Sequence, residues 1–284
     1  MTGLLAGLEA RAGIDFTRAE RYVGTSAGSM VAAALAGGVK PRRPVRRART
    51  DQQPQPSPKQ RSHRLSDVGK SIAERSYAPA SAALAAMAPS AAFLRAALLA
   101  AIPSRGYSLE KLSDHIAEFG ATFDGRLRIV AVDRARGRRV VFGTTGAPET
   151  TVAQAVAASC AVPGVYAPVT IGGRSYVDGG VWSPSNLDAA DPADGDHLLC
   201  LLPTGLASQS KSTMIRSLGA ALHSRTTLEI AGARRRGAKV QLLTPDASAS
   251  RAMGPNLLDG GTVPASFAEG FRQGADAGAT WSVA

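Results

Sequence analysis

Aromatic residues are scarce in this chain, at 5% of 284, and it holds two cysteines and four histidines. With so few aromatic rings, a core must be built from Ala, Val, Leu and Ile, which the 44% hydrophobic content allows. Two cysteines exclude a disulfide-stapled scaffold. Cys160 and Cys200 lie in the apolar strings Ala158-Ser159-Cys160-Ala161-Val162 and Leu198-Leu199-Cys200-Leu201-Leu202, without metal-ligand spacing. They read as buried reduced thiols, which suits a reducing, cytoplasmic compartment. No run approaches the roughly 20 uninterrupted apolar residues of a membrane span. The nearest stretch, 78–102, is broken by Pro79, Pro89 and Arg95. Met1 is followed by neither a basic n-region nor an apolar h-region, so no signal peptide is expected.

The charge is unevenly placed. The formal net charge is +11, yet residues 40–64 alone hold nine basic side chains against the single acid Asp51. That segment also carries Pro41, Pro44, Pro54, Pro56 and Pro58 and almost no large apolar side chains. Such a composition cannot bury enough surface to offset its ordering entropy. The expected organisation is one domain over 1–284 with a disordered, basic, Pro-rich insertion at about 40–64. A solvated loop is the plainer role for it, and peripheral contact with anionic lipid headgroups the functional one. A nucleic-acid partner is not expected, because the segment lacks the aromatic interleaving of single-strand binders.

Helical spacing predicts helices over 2–12, 29–36, 109–119, 152–161, 213–236 and 263–277, with two more in 80–101 interrupted at Pro89. Short apolar runs predict strands over 20–23, 127–132, 139–142, 175–177, 198–202 and 239–243, the second and third pairing across a turn at 134–138. Strands alternating with helices imply an α/β sandwich around a largely parallel sheet.

Between the first strand and the 29–36 helix lies Gly24-Thr25-Ser26-Ala27-Gly28, a G-x-S-x-G pattern. A nucleophilic serine must project from a sharp strand-to-helix turn, where flanking residues crowd it and glycine supplies space. The following helix aims its free N–H groups and partial positive charge at the serine. Gly24, Ala27 and Gly28 are therefore the candidate elbow and oxyanion residues.

The serine needs a base. His63 lies in the basic segment, His115 and His223 lie within predicted helices, and His197 precedes a strand, the wrong end for a site at strand C-termini. A Ser–His–Asp triad through His197 or His223 remains the rival arrangement. Asp178 is better placed, at a strand end and followed by Gly179 and Gly180, which let the backbone approach closely. A carboxylate held within reach and partly desolvated can take the serine proton directly. The second Asp-Gly-Gly, at Asp259-Gly260-Gly261, precedes a helix and reads as a turn or cap.

Val23-Gly24-Thr25-Ser26-Ala27-Gly28-Ser29 resembles the nucleophile segment of patatin-like phospholipases. The stretch from Ala158 through Pro163 and Gly164 to Pro168 resembles the segment before that family's aspartate, and Gly173-Arg174-Ser175-Tyr176-Val177-Asp178-Gly179-Gly180-Val181 its aspartate motif. The resemblance implies a three-layer α/β/α sandwich with a mostly parallel central sheet. It also implies a Ser26–Asp178 dyad without histidine, an acyl-enzyme, and cleavage of lipid acyl esters of the phospholipase A or lysophospholipase kind. No metal or organic cofactor is implied. The family carries a Gly-rich oxyanion loop upstream of the nucleophile, and nothing between Met1 and Ser26 matches it. Two expectations follow: a true start upstream of Met1, or a catalytically impaired relative that binds lipid or protein.

Overall fold

The computed structural model describes residues 1–42, 83–85, 87–203, 213–254 and 260–279, with backbone alone for 213–223. The expected insertion therefore lies outside the described residues from position 43 onward. The chain begins with helix α1 (Thr2–Ala12), which ends where Gly13 turns left-handed and donates its N–H to Glu9. Strand β1 (Tyr22–Thr25) then runs into helix α2 (Ala27–Ala36). Helices α3 (Ala92–Ala101) and α4 (Glu110–Ala117) lead to the hairpin β2 (Leu127–Asp133) and β3 (Arg138–Phe142). Helix α5 (Val152–Ser159) precedes a second hairpin, β4 (Val169–Ile171) and β5 (Arg174–Asp178). Strands β6 (His197–Leu201) and β7 (Lys239–Leu243) flank helix α6 (Thr213–Arg235), and α7 (Ala247–Met253) and α8 (Val263–Ala279) follow.

Side-chain alternation along β2 divides the interior into two layers. Leu127, Ile129 and Ala131 face a core shared with Leu5 of α1, Ala32 and Ala33 of α2, Ile116 of α4 and Val156 of α5. Val132 faces the other way, onto Leu84, Leu99, Val177 and Val181. With helices against both faces, the α/β class and the three layers are as expected. Strands β6 and β7 form a parallel pair of their own. Cys200 and Val240 pack there against Ile230 and Ala233 of α6, while Leu199 and Leu201 reach the main core. Both cysteines are buried and free.

The strand directions differ from the expected parallel majority. In the five-stranded sheet only β1–β2 is parallel, whereas β2–β3, β2–β5 and β4–β5 are antiparallel. For the β2–β3 and β4–β5 hairpins the reason is connection length, since parallel neighbours need a long crossover and a hairpin does not. About a hundred residues separate β1 from β2, but β4 and β5 are joined by Gly172-Gly173 alone. Both glycines have positive φ, 55° and 73°, as a two-residue hairpin turn requires. That glycine pair was the available signal for β4, a three-residue strand absent from the sequence expectations along with α7. Of the two helices expected in 80–101, the second is α3, preceded by a short 3₁₀ turn, Pro89–Ala91.

Candidate active site

The register of β2 brings the two predicted catalytic residues together. Thr25, the last residue of β1, pairs with Val130, and Asp178, the last residue of β5, pairs with Ala131. Strand β3 pairs with positions 129–133 throughout, so β1 and β5 must share the opposite edge of β2. They meet there end to end, pointing at each other from opposite directions. Ser26 and Asp178, about 150 positions apart in sequence, thus emerge beside adjacent residues of one strand.

Ser26 has φ 51° and ψ −127°, outside the regions that non-glycine residues normally occupy. Several groups around the bend hold it there. The Ser26 N–H donates to the Ser159 hydroxyl at 2.9 Å, and that hydroxyl donates to the Val130 carbonyl at 2.6 Å. The Ser26 carbonyl accepts from both the N–H and the hydroxyl of Ser29, at 2.8 and 2.6 Å. Ser29 and Ser159 are fully buried. Ala27 and Gly28 open helix α2, and first-turn N–H groups have no acceptor within their own helix. An apolar cavity of about 280 Å³ adjoins this turn at Ala27, with Leu4, Leu201, Leu243 and Phe267 among its walls.

The two elbow glycines are not equivalent. A Cβ on Gly24 would collide with the Ser29 backbone, so the close approach expected there is real. A Cβ on Gly28 would meet nothing within 4 Å. The crowding expected at Gly28 is absent, because the helix turns it toward open space rather than back onto the strand.

Asp178 is buried, with its N–H donating to the Ala161 carbonyl at 3.0 Å and its Oδ1 accepting from Gly180 N–H at 2.6 Å. Burial pushes the carboxyl up to about 6, against the opposing pull of the Ser26 hydroxyl and the Gly180 N–H. The Ser26 hydroxyl is thus near enough to influence the carboxyl, yet Oδ2 is buried without a hydrogen bond of full geometry. Gly179 passes so close to the Val130 carbonyl that a Cβ there would collide with it. Next to this pair, Cys160 lies 3.8 Å from the Ser29 hydroxyl, and burial together with the Asp178 charge pushes its thiol up to about 12. It stays protonated and is no rival nucleophile.

Two positioning residues were not singled out in the sequence. Ser159 ties Ser26 to β2, and its only sequence signal is a hydroxyl ending the otherwise small and apolar helix α5. Asn186 is fully buried in a left-handed conformation. Its amide donates to the Thr25 hydroxyl at 3.0 Å, the Ser183 carbonyl at 2.7 Å and the Gly179 carbonyl at 3.3 Å. It bridges the strand before the serine and the turn after the aspartate, which no local pattern announces.

The described histidines stand apart from this arrangement. His115 is exposed and lies 3.3 Å from Glu118, and His197 is an exposed residue opening β6 beside Lys239. His63 and the His223 side chain lie outside the described residues. Gly260 and Gly261 belong to a short turn leading into α8, as expected of the second Asp-Gly-Gly, although Asp259 itself is not described.

Comparison with known proteins adds one finding. No curated protein matches the chain. The family model for patatin-like phospholipase, however, matches residues 1–191, a span that contains β1, α2, the 158–168 stretch and the aspartate turn. With two thirds of its length so matched, the chain belongs to the patatin-like phospholipase family, a family of lipid acyl hydrolases.

Proposed function

We propose that the protein is a serine acyl hydrolase that cleaves lipid acyl esters through a Ser26–Asp178 dyad. The observation that carries this is the convergence of a strained serine and a buried carboxyl of raised pKa at Val130 and Ala131 of β2. In this mechanism Asp178 accepts the hydroxyl proton as the Ser26 oxygen adds to the ester carbonyl. The N–H groups of Ala27 and Gly28, at the positive end of α2, face the developing oxyanion. The tetrahedral intermediate collapses to an acyl-enzyme, and the departing alcohol takes the proton from Asp178. Water then attacks the acyl group, gives its proton to the same carboxylate, and releases the acid and free Ser26. Every proton taken is returned, so no cofactor is needed. The apolar cavity at Ala27 suits an acyl substituent better than a charged one.

Hydrolysis of p-nitrophenyl esters together with fluorophosphonate labelling tests the proposal. Wild-type protein is expected to turn over ester and to label, and Ser26→Ala to do neither. Asp178→Asn is expected to lose turnover by about 10⁴-fold or more. Retained turnover in either variant would exclude the dyad, and loss of turnover in His197→Ala or His223→Ala would favour a triad. A folded wild-type protein that neither labels nor hydrolyses would instead be a lipid- or protein-binding relative.

A further inference from the structure

Of its four large apolar residues, helix α3 buries only Leu99. Its one charged residue, Arg95, is fully buried, while Phe93, Leu94 and Leu98 are 88%, 54% and 46% exposed. Together with Ala97 and Ala101 they make an outward face without a single polar side chain. Exposed apolar side chains scattered singly are ordinary, but three large ones on one short helix mark a contact surface.

What flanks that face identifies the partner. Phe93 lies at the edge of an open cleft of about 750 Å³ that is also lined by Arg136, Arg138, Arg139 and Arg174. The acid lining the same cleft is Asp133, which is buried and 3.8 Å from Arg136. Arg139 is held by both carboxylate oxygens of Asp188. Arg136, Arg138 and Arg174 are exposed. The cleft thus presents an excess of positive charge next to protruding apolar side chains, the combination that suits the boundary between headgroups and acyl chains in an anionic bilayer. An acidic surface without apolar groups would engage the arginines alone and leave Phe93, Leu94 and Leu98 in water.

The position is also apt. Strand β2 passes the dyad at Ala131 and continues into the 134–137 turn that carries Arg136. Strand β5 runs the other way, so Arg174 at its start lies beyond Asp133, at the same end of the sheet. At about 3.3 Å per residue, the turn stands roughly 10 Å past the dyad.

We propose that the outer face of α3, with Arg136, Arg138 and Arg174, is the surface on which this protein docks to an anionic lipid bilayer. The contact proposed is a peripheral one; no helix among the described residues is long and apolar enough to cross a membrane. Docking stands independently of the dyad, since it concerns binding and not turnover.

Co-sedimentation of the full chain with vesicles tests this, using phosphatidylcholine alone and phosphatidylcholine mixed with phosphatidylglycerol. Binding is expected only to the mixed vesicles and is expected to weaken with added salt. A triple variant with Arg136→Gln, Arg138→Gln and Arg174→Gln should bind about a hundredfold more weakly, at about fivefold per arginine. Phe93→Ser with Leu98→Ser should reduce binding about tenfold or more. Both variants should melt like the wild type, because the altered side chains are exposed, and both should keep activity toward a soluble ester. Wild-type binding by both variants would overturn the proposal and transfer the contact to the basic 40–64 segment. Failure of the wild type to bind mixed vesicles would also overturn it. So would a dimer that these substitutions dissociate, since the face would then be a protein interface.

Discussion

Helices α2 and α3 are each ten residues long, both rich in alanine, and lie on opposite faces of one sheet. Helix α2 turns its apolar residues inward, burying Ala32, Ala33 and Leu35 against β2. Helix α3 buries a guanidinium and leaves its aromatic ring outside. In α2 the environment follows from the side chains. In α3 it follows from what the fold offers Arg95. The carbonyls of Gly137, Met87 and Ala88 accept from it at 2.9, 3.1 and 3.2 Å, and the Trp182 ring lies 4.6 Å from its carbon centre. Burial and the nearby Arg225 charge hold the Arg95 pKa below its usual value. A buried cation without a carboxylate partner among the described residues is tolerated because oriented carbonyl dipoles and a ring face replace its water. On the readings proposed above, the two helices would also divide the work, with chemistry at the N-terminus of α2 and surface contact along α3.

Substitutions at the two ends of that comparison should separate structure from chemistry. The largest effect is expected at Gly24. Gly24→Ala forces a methyl into the Ser29 backbone and should lower stability by about 4 kcal/mol, removing the esterase with it. Gly28→Ala, facing open space, should change stability by less than about 1 kcal/mol. Denaturant titration of the two variants measures the contrast, and equal effects would mean that the elbow crowds both sides of the serine.

On the α3 side, Arg95→Met removes three carbonyl partners from a buried site and should cost about 3 kcal/mol. It should leave kcat toward a soluble ester within a few fold when assayed well below the melting temperature. A large fall in kcat with little loss of stability would tie Arg95 to the chemistry instead.

Asp178 should behave in the opposite sense, its removal stabilising the protein. Its folded pKa of about 6 lies above the unfolded value of about 4, so the folded state binds the proton more tightly. Its favourable contribution is complete below about pH 4 and is lost as pH rises to 6. Asp178→Asn carries no such penalty. The stability gap between variant and wild type should therefore grow from near zero at pH 4 to about 3 kcal/mol above pH 6. Thermal melts at pH 4 and pH 8 measure it, and a gap that does not widen with pH would mean that the carboxyl is not buried as a charge. Wild-type kcat/KM should rise through about pH 6 as the base ionises.

The smallest effect is expected at Ser159. Ser159→Ala leaves the Ser26 N–H without its acceptor, and should cost about 1–2 kcal/mol and lower kcat about tenfold or more with KM little changed. A rise in KM at constant kcat would place Ser159 in substrate binding instead.

Most of this architecture was legible before any coordinates, and the exceptions have a common cause. Helix and strand periodicity, the G-x-S-x-G turn and the apolar burial of both cysteines each depend on neighbours within a few positions, where backbone sterics and side-chain alternation act directly. The place of Asp178 at a strand end was legible in the same way. By contrast, the antiparallel β2–β5 pairing, the shared edge of β2 and the roles of Ser159 and Asn186 depend on partners about 30 to 160 positions away. Arg95 makes the point most sharply. In the sequence it breaks an apolar run and belongs in water, because a lone charge is costly to desolvate. In the folded chain its solvation is supplied by carbonyls and a ring that converge only once the 134–137 turn and the aspartate loop have packed against α3. Local chemistry determined which elements form and which residue types can react, and tertiary packing decided which of them meet, because desolvation and strand register are properties of the assembled whole.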